Sequence, residues 1–169
     1  MLARFGINPT QLIGLLSFAA ATIACVIAAR RSTWRDARVW QVVAFTNGLF
    51  LIEIFFGFRH RIHDYLVALL IAEGEYDQRR GAQEFIIIWL ATIALICVTL
   101  FSFSRGLAGT ARIAASLTIA MLALFAIETV SLHALDAVYY RPAGAVLLIG
   151  WLWAIGALGI CWAALTVKG

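Results

Sequence analysis

The chain has 169 residues, 63% of them hydrophobic, a mean hydropathy of +0.94 and a formal charge of +4. A soluble domain is roughly half apolar, so a soluble globular enzyme or binding module is excluded. The basic residues are scattered through short loops without stacking aromatics, which excludes a nucleic-acid-binding face.

Five apolar runs are long enough to cross a hydrocarbon core of about 30 Å, and they predict an all-α integral membrane protein forming a single membrane domain over 1–169. The first covers 11–29. Arg4 precedes it, as in a signal peptide, but its length predicts an uncleaved first helix. Gly14, Ser17, Ala21, Ala24 or Cys25, and Ala28 recur every three or four residues along it. That spacing lets helix backbones approach closely. The connection 30–38 carries Arg30, Arg31, Arg35 and Arg38, and the second run follows over 39–58.

The segment 59–84 is the longest break. Its first half, 62–72, is apolar almost all round, with His63 and Asp64 as its polar members. A helix apolar on every side is buried rather than lying on a surface. It is expected to extend span two beyond the bilayer against a partner, or to fold back as an interfacial helix. The stretch 73–84 reads as a polar connection. The third run covers 85–103, and a Gly-rich turn, 106–111, lies between Arg105 and Arg112. The fourth run is 113–135. Arg141-Pro142 then leads into the fifth, 143–167, where proline suits the first helical turn. Gly156, Gly159 and Ala163 form its small-residue face, and Trp151, Trp153 and Trp162 are assigned to lipid-facing or inter-subunit surface.

Cys25, Cys97 and Cys161 fall singly in three separate runs without a Cys-x-x-Cys pair. They read as small packing residues rather than redox centres.

Orientation follows from basic residues, largely regardless of acids. With Arg30, Arg31, Arg35, Arg38, Arg105, Arg112 and Lys168 on one side and Arg4, Arg59, Arg61, Arg79, Arg80 and Arg141 on the other, the tally is seven against six. It puts the C-terminus in the cytoplasm and the N-terminus outside, across what is expected to be a bacterial inner membrane.

The same parity gathers all three histidines and eight of the nine acids at one end; only Asp36 falls at the other. Ionisable residues near hydrocarbon are functional suspects by default. Treated as one helix, span two brings Glu53, His60 and Asp64 within about 40° of one another, with Glu53 about 10 Å deeper. Span four repeats the layering, with His133 and Asp136 above Glu128. His60, Asp64, His133 and Asp136, with His63 as an alternative, then suit Zn²⁺, Fe²⁺ or Mn²⁺. Glu53 or Glu128 would be the catalytic acid–base group. Arg59, Arg61 or Arg80 would hold an anionic headgroup, pointing to a lipid-like or quinone-like substrate. Haem, which needs opposed ligands such as His60 or His63 against His133, is less favoured. No HExxH, ExxH or multi-histidine box occurs, so no metalloenzyme class is indicated and enzymatic activity is left open.

Two other readings stand beside this one. The arginines at the same end can neutralise the carboxylates in a salt-bridge network. The chain would then be a non-enzymatic structural or assembly subunit, or a homo-oligomer, its partners being membrane lipids and membrane subunits. In the third reading Glu53 and Glu128 carry protons or cations through an oligomer. The shared-pocket reading requires spans two and four to pack together with both glutamates pointing inward; without that, the acids form a solvated rim and the non-enzymatic reading is left ahead. The metal reading further requires His60 or Asp64 to face His133 or Asp136.

Overall fold

A computed structural model of the chain describes residues 7–74, 79–130 and 133–167; within these, nothing is described of the side chains of Leu66, His133 and Ala134. The helices are α1 (Pro9–Arg31), α2 (Trp34–Phe56), α3 (Phe58–Glu73), α4 (Arg79–Ser102), α5 (Gly109–Val130), α6 (His133–Tyr139) and α7 (Leu148–Leu165). Before α7, β1 (Pro142–Ala143) and β2 (Val146–Leu147) pair antiparallel, with Pro142 opposite Leu147. α1, α2, α4, α5 and α7 are each long and apolar enough to cross a membrane. The chain is an all-α membrane bundle.

Local chemistry explains the starts and stops. Asn8 and Gln11 form a capping box: Asn8 Oδ1 accepts the Gln11 N–H at 2.8 Å, and Gln11 Oε1 accepts the Asn8 N–H at 3.1 Å. Two orphan donors of α1 are thereby satisfied. Gly57 ends α2 with φ 64° and ψ 37°, its N–H donating to the Glu53 carbonyl at 2.7 Å. This left-handed position favours glycine.

Several predicted boundaries are corrected. Span two stops at Gly57 instead of running through 58, so His60 and Asp64 belong to a new helix, and the angles of one continuous helix do not apply to them. The polar connection 73–84 is helical from Arg79, where the Arg80–Glu84 pair at 2.9 Å supports the first turns of α4. Span four is described as α5 up to Val130, and His133 and Asp136 fall in the next described helix, α6. Span five starts at Leu148, since Pro142 and Ala143 are taken by the hairpin.

α1, α2, α5 and α7 enclose the core, α1 lying between α2 and α7, and α5 closing the ring. Each helix contributes one aromatic ring to its centre. Phe50 (α2) stacks on Phe125 (α5) at 4.5 Å, Phe125 on Trp153 (α7) at 5.6 Å, and Phe18 (α1) meets Phe50 at 5.2 Å. Trp153 is 3% exposed, which corrects its assignment to the surface; Trp151 and Trp162 are exposed. The small-residue faces act as expected: a Cβ on Gly14 would stand 2.7 Å from Ile54 Cδ1 and 2.9 Å from Trp153 Cε3.

The remaining long elements lie outside this ring. α4 has no buried residue along its 24 positions and packs chiefly on α5. α3 also rests mainly on α5, and its Ile62, Tyr65, Leu69 and Ile71 are exposed. The all-apolar pattern had predicted burial, which the chain by itself does not provide.

Gly14→Val is expected to force apart α1, Ile54 and Trp153 and to destabilise the bundle by about 1–3 kcal/mol. Thermal unfolding in detergent would measure this, and an unchanged midpoint would refute the close packing.

Candidate functional site

The helix break at Gly57 creates the central feature. Two residues after it, Arg59 turns back toward the ring of helices, 7% exposed. Its backbone N–H, one of the unsatisfied donors at the start of α3, donates to Glu53 Oε1 at 2.9 Å. Gly57 has no side chain to cap the new helix. Glu53, one turn before the break, serves instead.

The Arg59 side chain joins elements distant in sequence. Nη1 donates to Glu128 Oε2 on α5, and Nε lies 3.6 Å from Glu53 Oε1. Glu128 Oε1 accepts the Tyr140 hydroxyl at 3.1 Å. The guanidinium carbon sits 4.8 Å from the Phe125 ring centroid and 5.0 Å from that of Trp153. Cation–π attraction of this kind strengthens once water is excluded. One arginine thus ties α2, α3, α5, α7 and the segment after α6 together.

Above this network lies a cavity of about 100 Å³, bordered by Thr10, Glu53, Arg59, His60, Tyr140 and Trp153 among others. Arg59 Nε and Trp153 Nε1 are both buried without a hydrogen-bond partner. At roughly 30 Å³ per water, the space suits about three waters that would accept from such donors. His60 lies at the rim. Desolvation, and next the charge of Arg59, push its imidazole below the ordinary 6.5, while Glu53 and Asp64 pull the other way. The Tyr140 phenol is pushed up by burial and by the charge of Glu128, so it acts as a hydrogen-bond donor.

The expected residues are therefore divided. Glu53 and Glu128 point inward and are brought together by Arg59, as the parity of spans two and four required. Arg59 is buried, while Arg61 and Arg80 are exposed, Arg80 being paired with Glu84. His60 and His63 border different spaces. His63 lines a cavity of about 430 Å³ between α3, α4 and α5, together with Leu70, Arg79, Gln83 and Thr129. Asp64 is exposed, and Asp136 is half-buried on α6. His133 opens α6, but its side chain, like Glu75 and Asp77, lies outside the described residues. Among the described residues, no three His, Cys, Asp or Glu groups gather where they could hold a metal ion.

Tyr140, Phe125 and Trp153 complete the network and were missed as site residues. A signal existed for Trp153. It lies three and seven positions before Gly156 and Ile160, on the face of α7 that packs inward. No family model, curated protein or solved structure matches the chain.

Removing one partner of a buried pair leaves an uncompensated charge, at a cost of about 3–5 kcal/mol, whereas an apolar replacement of both is often tolerated. Glu128→Leu should therefore destabilise the bundle by that amount, and Arg59→Met combined with Glu128→Leu by clearly less. Additive losses in a double-mutant cycle would contradict the pairing. His60 should titrate below 6.5 by NMR. Its contribution to stability is full above that value and disappears as pH falls through the lower folded value. A midpoint at or above 6.5 would mean that Glu53 and Asp64 outweigh desolvation.

Proposed function

We propose that the chain is a non-enzymatic membrane subunit that assembles with copies of itself or with partner membrane subunits. Glu53, Arg59, Glu128 and Tyr140 then form a structural lock. One observation carries this reading: Arg59 engages both deep glutamates at once, and Tyr140 takes the other oxygen of Glu128. A carboxylate held in this way is poorly placed to shuttle protons or to ligate a metal. The outer helices support the assembly part. The apolar surface of α3, and α4 without a buried residue, call for cover beyond the ring of four helices. The arginine count would put the arginine-rich end in the cytoplasm.

A second reading has one observation in its favour. The cavity beside His63, about 430 Å³, falls within the roughly 300–1,000 Å³ of small-molecule sites. It would admit part of a lipid-like or quinone-like molecule, its polar end toward His63 and Gln83.

The two readings differ in company and in content. Purified in mild detergent, the protein should have a particle mass above that of one 18.5 kDa chain. Cys97 on α4, only partly exposed, should react with maleimide more slowly in that particle than after dissociation. A lone monomer carrying stoichiometric Zn, Fe or Mn that His60→Ala removes would overturn the proposal and restore the metal-site reading.

A further inference from the structure

The end of the bundle opposite Arg59 has a different chemistry. Arg30 and Arg31 close α1, Arg35 and Arg38 open α2, and Arg105 and Arg112 flank the α4–α5 connection. The one acid there, Asp36, is engaged: Oδ1 accepts the Ala108 N–H at 3.0 Å and Oδ2 the Thr33 hydroxyl at 3.4 Å. Among the described residues, none of these six arginines makes an ion pair. Arg38 lies over the Trp34 ring at 3.8 Å, and Arg112 donates to the Ser102 carbonyl at 3.0 Å. Among the described residues, the positive charge of this end thus meets no carboxylate in an ion pair.

A groove of about 490 Å³ begins at this end and runs down the outer face between α1 and α2. Val26 and Ala29 form one wall, Ala44, Phe45 and Leu49 the other, and Arg30 and Gln41 stand at its mouth. From Arg30 to Thr22 the groove follows eight residues of α1, about 12 Å, and from Gln41 to Ile52 eleven residues of α2, about 16 Å. Half of a 30 Å hydrocarbon core is about 15 Å, so the groove spans one leaflet. Its floor is open at Gly48, where an added Cβ would meet no atom within 4 Å.

We propose that this groove binds one anionic phospholipid of the arginine-rich leaflet. One acyl chain lies along Val26, Phe45 and Leu49, and the phosphate is held by the Arg30 guanidinium and the Gln41 amide. Length and apolar walls suit an acyl chain. The uncompensated cation at the mouth selects a headgroup of net negative charge over a zwitterionic one. Basic sites between transmembrane helices attract anionic headgroups on the same grounds. A partner helix would need no cation at the mouth, and a free anion no apolar floor. The site is separate from the Arg59 network and does not depend on how that network is interpreted.

The test uses the full chain reconstituted in nanodiscs of equimolar phosphatidylglycerol and phosphatidylcholine, then released into mild detergent for native mass spectrometry. The wild type should retain phosphatidylglycerol over phosphatidylcholine by about fivefold, the scale of one interfacial arginine. Arg30→Gln, an exposed change, should abolish that preference while total retained lipid stays constant. Gly48→Leu should fill the floor and lower retention of both lipids, with the unfolding midpoint unchanged. Equal retention by the wild type overturns the proposal. So does a preference that survives Arg30→Gln, which would assign it to the arginine cluster at large. If Gly48→Leu disturbs folding, the Arg30→Gln result decides alone.

Discussion

A guanidinium withdrawn from water needs compensation, and Arg59 obtains it from two helices at once. Isolated charge in a membrane interior is penalised by at least about 2.5–3.5 kcal/mol, and losing one partner of a buried pair costs as much again. Glu53 and Glu128 therefore cannot take independent positions. Glu53 holds the first turn of α3, Glu128 holds α5, and Arg59 fixes the distance between them. Trp153 and Phe125 add aromatic faces that complete the enclosure. The bend at Gly57 makes this possible, because a helix continuing straight from α2 would carry Arg59 away from the ring.

The molecule has two unlike ends. At one, acids, arginines and histidines are mixed, and the deepest of them are mutually neutralised. At the other, the arginines make no ion pair among the described residues, and Arg30 borders an apolar groove. The difference is electrostatic. A neutralised network favours internal order, whereas uncompensated cations favour partners of opposite charge. The four-helix ring between the ends is held by close contacts at Gly14 and by stacked rings, which suits a setting where the hydrophobic effect does not drive helices together. α3 and α4 are attached to this ring through α5 and turn most of their apolar surface outward.

Much of this was legible in the chain itself. Hydropathy over windows of about 20 residues, set by bilayer thickness, located all five spans. Parity placed the acids together, since alternate connections must lie on the same side of a membrane. Burial cost directed Glu53 and Glu128 inward. Spacing of three and four marked Gly14 and Gly156 as close contacts. What failed was angular. The relation of Glu53 to His60 and Asp64 assumed an unbroken helix, whereas a left-handed glycine divides it, although Glu53 and His60 still border one cavity. The layering of His133 and Asp136 over Glu128 falls partly on the His133 side chain, which lies outside the described residues.

The sequence by itself determined the class, the spans and the end at which polar residues collect, because these depend on transfer free energy and length. Only the tertiary structure decided which arginine serves which glutamate. Arg59, Arg61, Arg79, Arg80 and Arg141 are equivalent in composition and in side of the membrane. Arg59 alone follows directly on the Gly57 turn, and that turn sends its side chain between α5 and α7, within reach of Glu128. Likewise His60 and His63 seemed joint candidates for one site, but a bent path around α5 sets them against different cavities. Pairing over 69 residues of chain is settled by helix packing and chain direction, which local periodicity does not encode.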